Sequence, residues 1–185
     1  MEGLNEKNVY QTGQYLTFTL GGEVYAIEIS KVREVIDFSG VTKLPGTPEY
    51  SRGVLNLRGS VVPVIDLHTK FGMGVTKKTV NTCVIIIEVR IEREVAQLGA
   101  LADSVQEVVD LDEGQIEVPP RIGMNLESSY IQGMGKKGEQ FIIILNTNEL
   151  FSAEMMTENS LNKALIAQSS DPEKIQVPAF TYNME

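Results

Sequence analysis

Apolar and polar residues alternate in short runs along most of this chain, and the runs come in pairs separated by glycine- or proline-containing breaks. The stretch Tyr15-Leu16-Thr17-Phe18-Thr19-Leu20 alternates, Gly21-Gly22 turns, and Val24–Ile29 continues, which is the pattern of a β-hairpin with a two-glycine loop. Val32–Phe38 is a third strand, after which Pro45 and Pro48 break the chain. Gly53–Leu67 reads as two strands around a turn at Arg58-Gly59-Ser60, with Pro63 implying an edge position or a bulge. Leu67–Phe71 is long enough for one helical turn ended by Gly72, and the polar stretch Lys77–Thr82 is the expected boundary between two halves. The plan then recurs. Cys83–Val89 and Glu94–Leu101 predict a hairpin and Val105–Leu111 a single strand. A loop to Pro119-Pro120 and an irregular segment to Tyr130 follow, then a turn region over Ile131–Gly138 and a strong strand over Gln140–Leu145. Asn148–Met156 reads as helical, Leu161, Ala164 and Leu165 form a weak helical face, and residues 169–185 carry no periodicity.

The recurrence is also literal. Val32, Glu34, Val35 and Asp37 return as Val105, Glu107, Val108 and Asp110, an offset of 73 residues that widens by one where Pro45 returns as Pro119. A repeat of that length exceeds a solenoid unit and suits a small subdomain. Halves of roughly 70 residues are marginal alone, so they are expected to share a core. The physical options are paired small β-barrels or a β-sandwich, and the repeat favours two barrels with a groove between them.

Composition removes several function classes. Sixteen Lys and Arg against 25 Asp and Glu give a formal charge of −9 over 185 residues, the wrong sign for tracking phosphates or anionic lipid. Cys83 is the single cysteine, so an internal disulfide and a multi-cysteine metal site are excluded, and its run Cys83-Val84-Ile85-Ile86-Ile87 reads as buried strand. No apolar run reaches the length of a membrane span, and the N-terminus lacks the basic and apolar regions of a signal peptide, so the expected compartment is the cytoplasm.

Chemistry is sparse. His68 is the single histidine and reads as a surface residue near a strand end. A small-molecule-binding or hydrolytic β-barrel using His68 and nearby carboxylates is the alternative function. Gly133-Met134-Gly135-Lys136-Lys137-Gly138 matches G-x-G-x-x-G, but a strand follows where dinucleotide binding requires a helix, so the match is rejected. Asp110, Asp112 and Glu113 lack the spacing of a calcium loop and read as an acidic turn. No metal, cofactor or catalytic residue is assigned. What remains are residues suited to contact: Arg58, whose guanidinium can leave a tight turn and take a carboxylate in bidentate fashion, and Glu34 with its repeat partner Glu107.

The segment Gly53-Val54-Leu55-Asn56-Leu57-Arg58-Gly59, followed by Val61-Val62-Pro63-Val64-Ile65-Asp66-Leu67, strongly resembles the signature of the CheW family of bacterial chemotaxis coupling proteins. The resemblance extends to Val24-Tyr25-Ala26-Ile27, Val32-Arg33-Glu34-Val35, Pro45, Pro48, Asp103-Ser104-Val105, Pro119-Pro120 and Tyr130-Ile131-Gln132-Gly133. It implies a mostly β domain over residues 14–156, built as two SH3-like five-stranded β-barrels in a pseudo-twofold arrangement with short helices. The subdomains are expected at about 14–76 and 82–150 and intertwined, with a flexible N-terminus (1–13) and a partly helical or disordered tail (157–185). The resemblance further implies a non-catalytic adaptor that joins the cytoplasmic tips of chemoreceptors to the regulatory domain of the histidine kinase CheA, recruited to receptor arrays without entering the membrane or binding nucleic acid. Carried over by motif position, Val32, Glu34, Gly53, Arg58 and Gly59 are the receptor-facing residues, in the groove between the barrels. No residue is assigned to the kinase contact. Where many relatives have aspartate after the last strand, this chain has Asn146, which preserves hydrogen bonding and not charge.

Overall fold

A computed structural model of the chain describes residues 12–91, 93–120 and 128–152. The N-terminal residues 1–11, the tail beyond residue 152 and most of the irregular segment before Tyr130 lie outside the described residues, and with them the expectations for a flexible leader and a partly helical tail.

Among the described residues the chain runs through eleven strands, one short helix and a further helical stretch after the last strand. The first half forms β1 (Gly13–Leu20), β2 (Glu23–Glu28), β3 (Val32–Asp37), β4 (Ser51–Leu57), β5 (Ser60–Asp66) and α1 (Leu67–Lys70). The second forms β6 (Cys83–Ile91), β7 (Glu94–Ala102), β8 (Ser104–Leu111), a two-residue β9 (Ile116–Glu117), β10 (Ile131–Lys137) and β11 (Gln140–Leu145). Residues 147–152 are helical, and Asn146 caps them by accepting the Glu149 N–H, as Asp66 caps α1 by accepting the Thr69 N–H.

The sheets do not divide at residues 77–82. One sheet has the order β8-β1-β2-β11-β10-β9 and the other β3-β6-β7-β5-β4. Each half therefore lends its first hairpin to the sheet that holds the third strand and second hairpin of the other half. Exchanging β1 for β6, β2 for β7, β3 for β8, β4 for β10 and β5 for β11 turns one five-strand order into the other. Each sheet thus draws its strands from both halves of the chain. The chain crosses between sheets over residues 29–31 and at Asp103. Both crossings are too short to return the next strand to its own hairpin.

Burial explains the unbroken apolar runs of β2 and β6, residues 24–27 and 83–87, all of them buried. Tyr15, Val24, Ala26, Val109, Leu111, Ile142 and Ile144 build the core of the first sheet, and Phe38, Val62, Val64, Val84, Ile86 and Leu101 that of the second. The alternate positions of the same strands, Phe18, Leu20, Ile85 and Ile87, are equally buried. Successive strand side chains point to opposite faces, so these residues pack where the sheets meet, each burial contributing about 2 kcal/mol. Cys83 is buried too, and desolvation pushes its thiol up from its ordinary value, in keeping with a packing role.

Two local expectations are corrected. The turn region at Ile131–Gly138 is strand β10, whose glycines hid the alternation. A Cβ on Gly135 would stand 2.8 Å from Leu111 Cδ1, so the pattern's missing apolar residue is supplied by β8 instead. Pro63 lies in β5, between β7 and β4 rather than at an edge. It is tolerated because it faces Val54, whose own N–H and carbonyl bond Thr42 at 2.8 Å each, so that β4 asks no N–H of residue 63.

Candidate functional site

The strands β3 and β4 are the two edges of the second sheet, and the resembling motifs lie on them. Along β3 the odd-even pattern leaves Val32, Glu34 and Ile36 half-buried and Arg33, Val35 and Asp37 exposed. The β4–β5 hairpin closes on two residues, Arg58 and Gly59, between the paired Leu57 and Ser60. Both take positive φ, 50° and 89°, the type I′ turn that matches strand twist. Arg58 is the one non-glycine with positive φ among the described residues, a conformation costing about 1 kcal/mol. The Asn56 side-chain oxygen accepts the Gly59 N–H at 2.8 Å and holds the turn.

That turn aims Arg58 across the sheet opening at β3. Arg58 Nη1 donates to Glu34 Oε1 at 2.6 Å and Nη2 to Oε2 at 2.9 Å, a two-pronged pair joining the edge strands. The Arg58 side chain is 75% exposed and that of Glu34 27%, so the pair closes the sheet from outside while the guanidinium edge stays open to a partner. Around it lies a shallow polar pocket of about 400 Å³, lined by Arg33, Glu34, Leu57, Arg58, Ser60 and Gln97. Arg33 is held in turn by Glu88, Nε to Oε2 at 2.7 Å.

The Arg58 hydrogen bonds hold the Glu34 carboxyl below the usual carboxylate range, and Glu34 raises the guanidinium correspondingly. A depressed carboxylate pKa means that the pair's contribution is complete above the unfolded-state value and is lost only as pH falls through the folded one. An NMR titration that follows the Gly59 amide should therefore give a midpoint below about 4.3, the ordinary glutamate value. A midpoint at or above it would contradict this geometry.

Of the five residues expected at the site, the structure brings Glu34, Arg58 and Gly59 together and keeps Val32 on the Glu34 face of β3. Gly53, expected to face a receptor, is instead buried, with φ at 135°. A Cβ there would lie 2.3 Å from the Thr42 carbonyl oxygen, so Gly53 lets the loop before β4 pair with it. All five residues come from the second sheet. Arg33, Ser60, Leu57 and Gln97 escaped the sequence reading. Arg33 was adjacent to Glu34 and readable, whereas Gln97 on β7 reaches the pocket only through sheet pairing.

The repeat has a second version of the pair. Glu107 on β8 accepts from Lys137 Nζ at 2.5 Å, again linking the two outer strands of a five-strand order at a hairpin tip. Lysine makes a point contact there, with both side chains more than half exposed, and lacks the planar fork of Arg58. His68, expected at the surface, is half-buried instead. Its Nε2 lies 2.9 Å from both Asp103 oxygens, and Asp103 Oδ2 also accepts the Gly21 N–H at 2.8 Å. The histidine thus ties α1 to the crossing between sheets and to the β1–β2 turn.

A sequence profile described as the CheW-like domain matches residues 14–155. The chemotaxis protein CheW of Klebsiella aerogenes is 38% identical over 143 residues, covering 77% of this chain and 84% of that protein. CheW of Helicobacter pylori is 31% identical over 153 residues, covering 82% and 89%. Among solved structures, the crystal structure of the scaffolding protein TtCheW from Thermoanaerobacter tengcongensis superposes with a TM-score of 0.68 at 35% identity, covering 76% of this chain and 93% of that one.

Proposed function

We infer the role of this chain from its membership: the chain belongs to the CheW family, a family of non-catalytic scaffolds of bacterial chemotaxis. It is an adaptor of chemotaxis signalling that couples chemoreceptors to the kinase CheA. Its partners are the cytoplasmic tips of chemoreceptors and the regulatory domain of CheA, and it works in the cytoplasm at receptor arrays on the membrane. Among the described residues no helix is long and apolar enough to cross a membrane. Receptor recognition centres on Arg58 and Glu34, with Val32 beside them on β3, Gly59 permitting the turn and Gly53 shaping the loop behind β4. The observation that carries this reading is the two-pronged Arg58–Glu34 pair, which presents a guanidinium edge and its neighbouring carboxylate at a fixed position on the sheet opening. His68, central to the hydrolytic alternative, is engaged in holding Asp103 and the β1–β2 turn.

A bridging assay tests this reading. Immobilised receptor cytoplasmic fragment should retain CheA when this chain is added and should release it when the chain is omitted. Retention of CheA unaffected by the chain would overturn the adaptor role.

A further inference from the structure

Lys70 is the last residue of α1, and its ammonium is shared by two aromatic rings. Its Nζ lies 4.5 Å from the Tyr50 ring centroid and 5.6 Å from that of Tyr130. Those tyrosines are equivalent in the repeat. Each stands immediately before a three-residue run that ends in a glycine at a register shift, Gly53 in β4 and Gly133 in β10, and the offset between them is 80 residues. Each carbonyl accepts the N–H of the corresponding helix-capping residue, Asp66 to Tyr50 at 2.7 Å and Asn146 to Tyr130 at 2.8 Å. Tyr50 leads into the second sheet and Tyr130 into the first. One cation therefore stands between symmetry-related rings, one from each subdomain, while the residue equivalent to Lys70 under the same offset is the buried Leu150.

The neighbouring residue makes the same crossing. Phe71 stacks on Tyr25 of β2 with centroids 5.9 Å apart and meets Tyr130 at 6.4 Å, and Tyr25 stacks on Phe18 of β1 at 6.1 Å. The segment after β5 thus reaches out of the second sheet and ends among aromatic residues of the first. Phe71 supplies area and Lys70 supplies charge. Cation–π attraction depends on the cation and on the ring faces, and is strengthened where water is partly excluded.

We propose that Lys70 is an inter-subdomain clamp: its ammonium, held between Tyr50 and Tyr130, couples the opening of the two capping turns whose first residues, Asp66 and Asn146, are bonded to the carbonyls of those tyrosines, so that the two barrels respond to a disturbance together. Phe71 anchors the clamp and the lysine charge closes it. The clamp stands whether or not the Arg58 face is the receptor contact, because no partner enters the argument.

Native-state hydrogen exchange on the full chain supplies a reporter in each subdomain, the Asp66 amide in the second and the Asn146 amide in the first. Lys70→Met keeps the length of the apolar stem and removes the charge, and Lys70→Arg retains a cation for both rings. The methionine variant should accelerate exchange of both reporters about tenfold, with the amides of Val84 and Ala26 in the sheet interiors unchanged. The arginine variant should restore both reporters to within about twofold of the wild-type rates. Acceleration at Asp66 alone would mean that Lys70 serves only its own helix and would overturn the clamp. So would unchanged rates at both reporters, or equal acceleration throughout the sheets, which would report general destabilisation.

Discussion

Gly53→Ala is expected to destabilise the domain by about 3 kcal/mol, the size seen when a side chain is forced into a special backbone conformation at a site that cannot yield. Two independent costs coincide at this residue. Its φ of 135° is one that residues with a Cβ rarely adopt, and the added carbon would stand 2.3 Å from the Thr42 carbonyl oxygen and 3.2 Å from the Lys43 Cα. Those are backbone atoms, so no rotamer change relieves the overlap. The Thr42–Val54 bridge, which fastens the proline-containing loop to β4, must open or shift. For a domain of this size the expected fall in Tm is about 6–12 °C, and urea unfolding should show a lower midpoint with an unchanged slope. Gly59→Ala is the control. It has a comparable positive φ of 89° but no atom within 4 Å of the added carbon, so only the backbone cost of about 1 kcal/mol applies. Equal losses in the two variants would mean that the Gly53 contact with Thr42 is not what requires glycine there.

The second large effect is on binding. Arg58→Glu should lower affinity for the receptor cytoplasmic fragment by about 30- to 100-fold, because the change removes a guanidinium and places a second carboxylate beside Glu34. Arg58 is largely exposed, and its positive φ is tolerated poorly by either residue, so the fold should be little affected. Lys137→Glu makes the same reversal at the repeat-related hairpin tip and should leave receptor affinity within about twofold. Isothermal calorimetry or surface-immobilised fragment would read both. If Arg58→Glu binds as the wild type does while remaining folded, the receptor assignment at this face fails.

Element order was legible from the sequence because alternation and turn residues are local signals. Gly21-Gly22, Arg58-Gly59 and the apolar run from Cys83 each announced their structures. Element pairing was not. The 73-residue repeat revealed two similar units, but a repeat is the same string of residues whether its first hairpin stays home or is exchanged, so the interleaving of β1-β2 and β6-β7 had no local mark. β10 was missed because three of its eight neighbouring positions from Ile131 to Gly138 are glycine, and the side chain that fills Gly135's place belongs to Leu111, twenty-four residues earlier.

The site divides in the same way. Arg58 and Glu34 were each recognisable as contact residues, but their mutual pairing depends on two edge strands meeting around a sheet opening, which no spacing encodes. Gly53 was identified for its position in a motif, whereas its physical role is the space it leaves for Thr42. His68 looked like a surface residue because Asp103, its partner, is remote in sequence and becomes close only where the chain crosses between sheets. Local chemistry was readable; long-range partnership required the fold.

The coupling role is tested most directly by CheA autophosphorylation measured with the receptor cytoplasmic fragment, with and without this chain. The account predicts that kinase activity becomes dependent on the receptor only when the folded chain is present, and that Arg58→Glu abolishes this dependence. Receptor-dependent activity in the absence of the chain, or activity indifferent to its addition, would contradict the account.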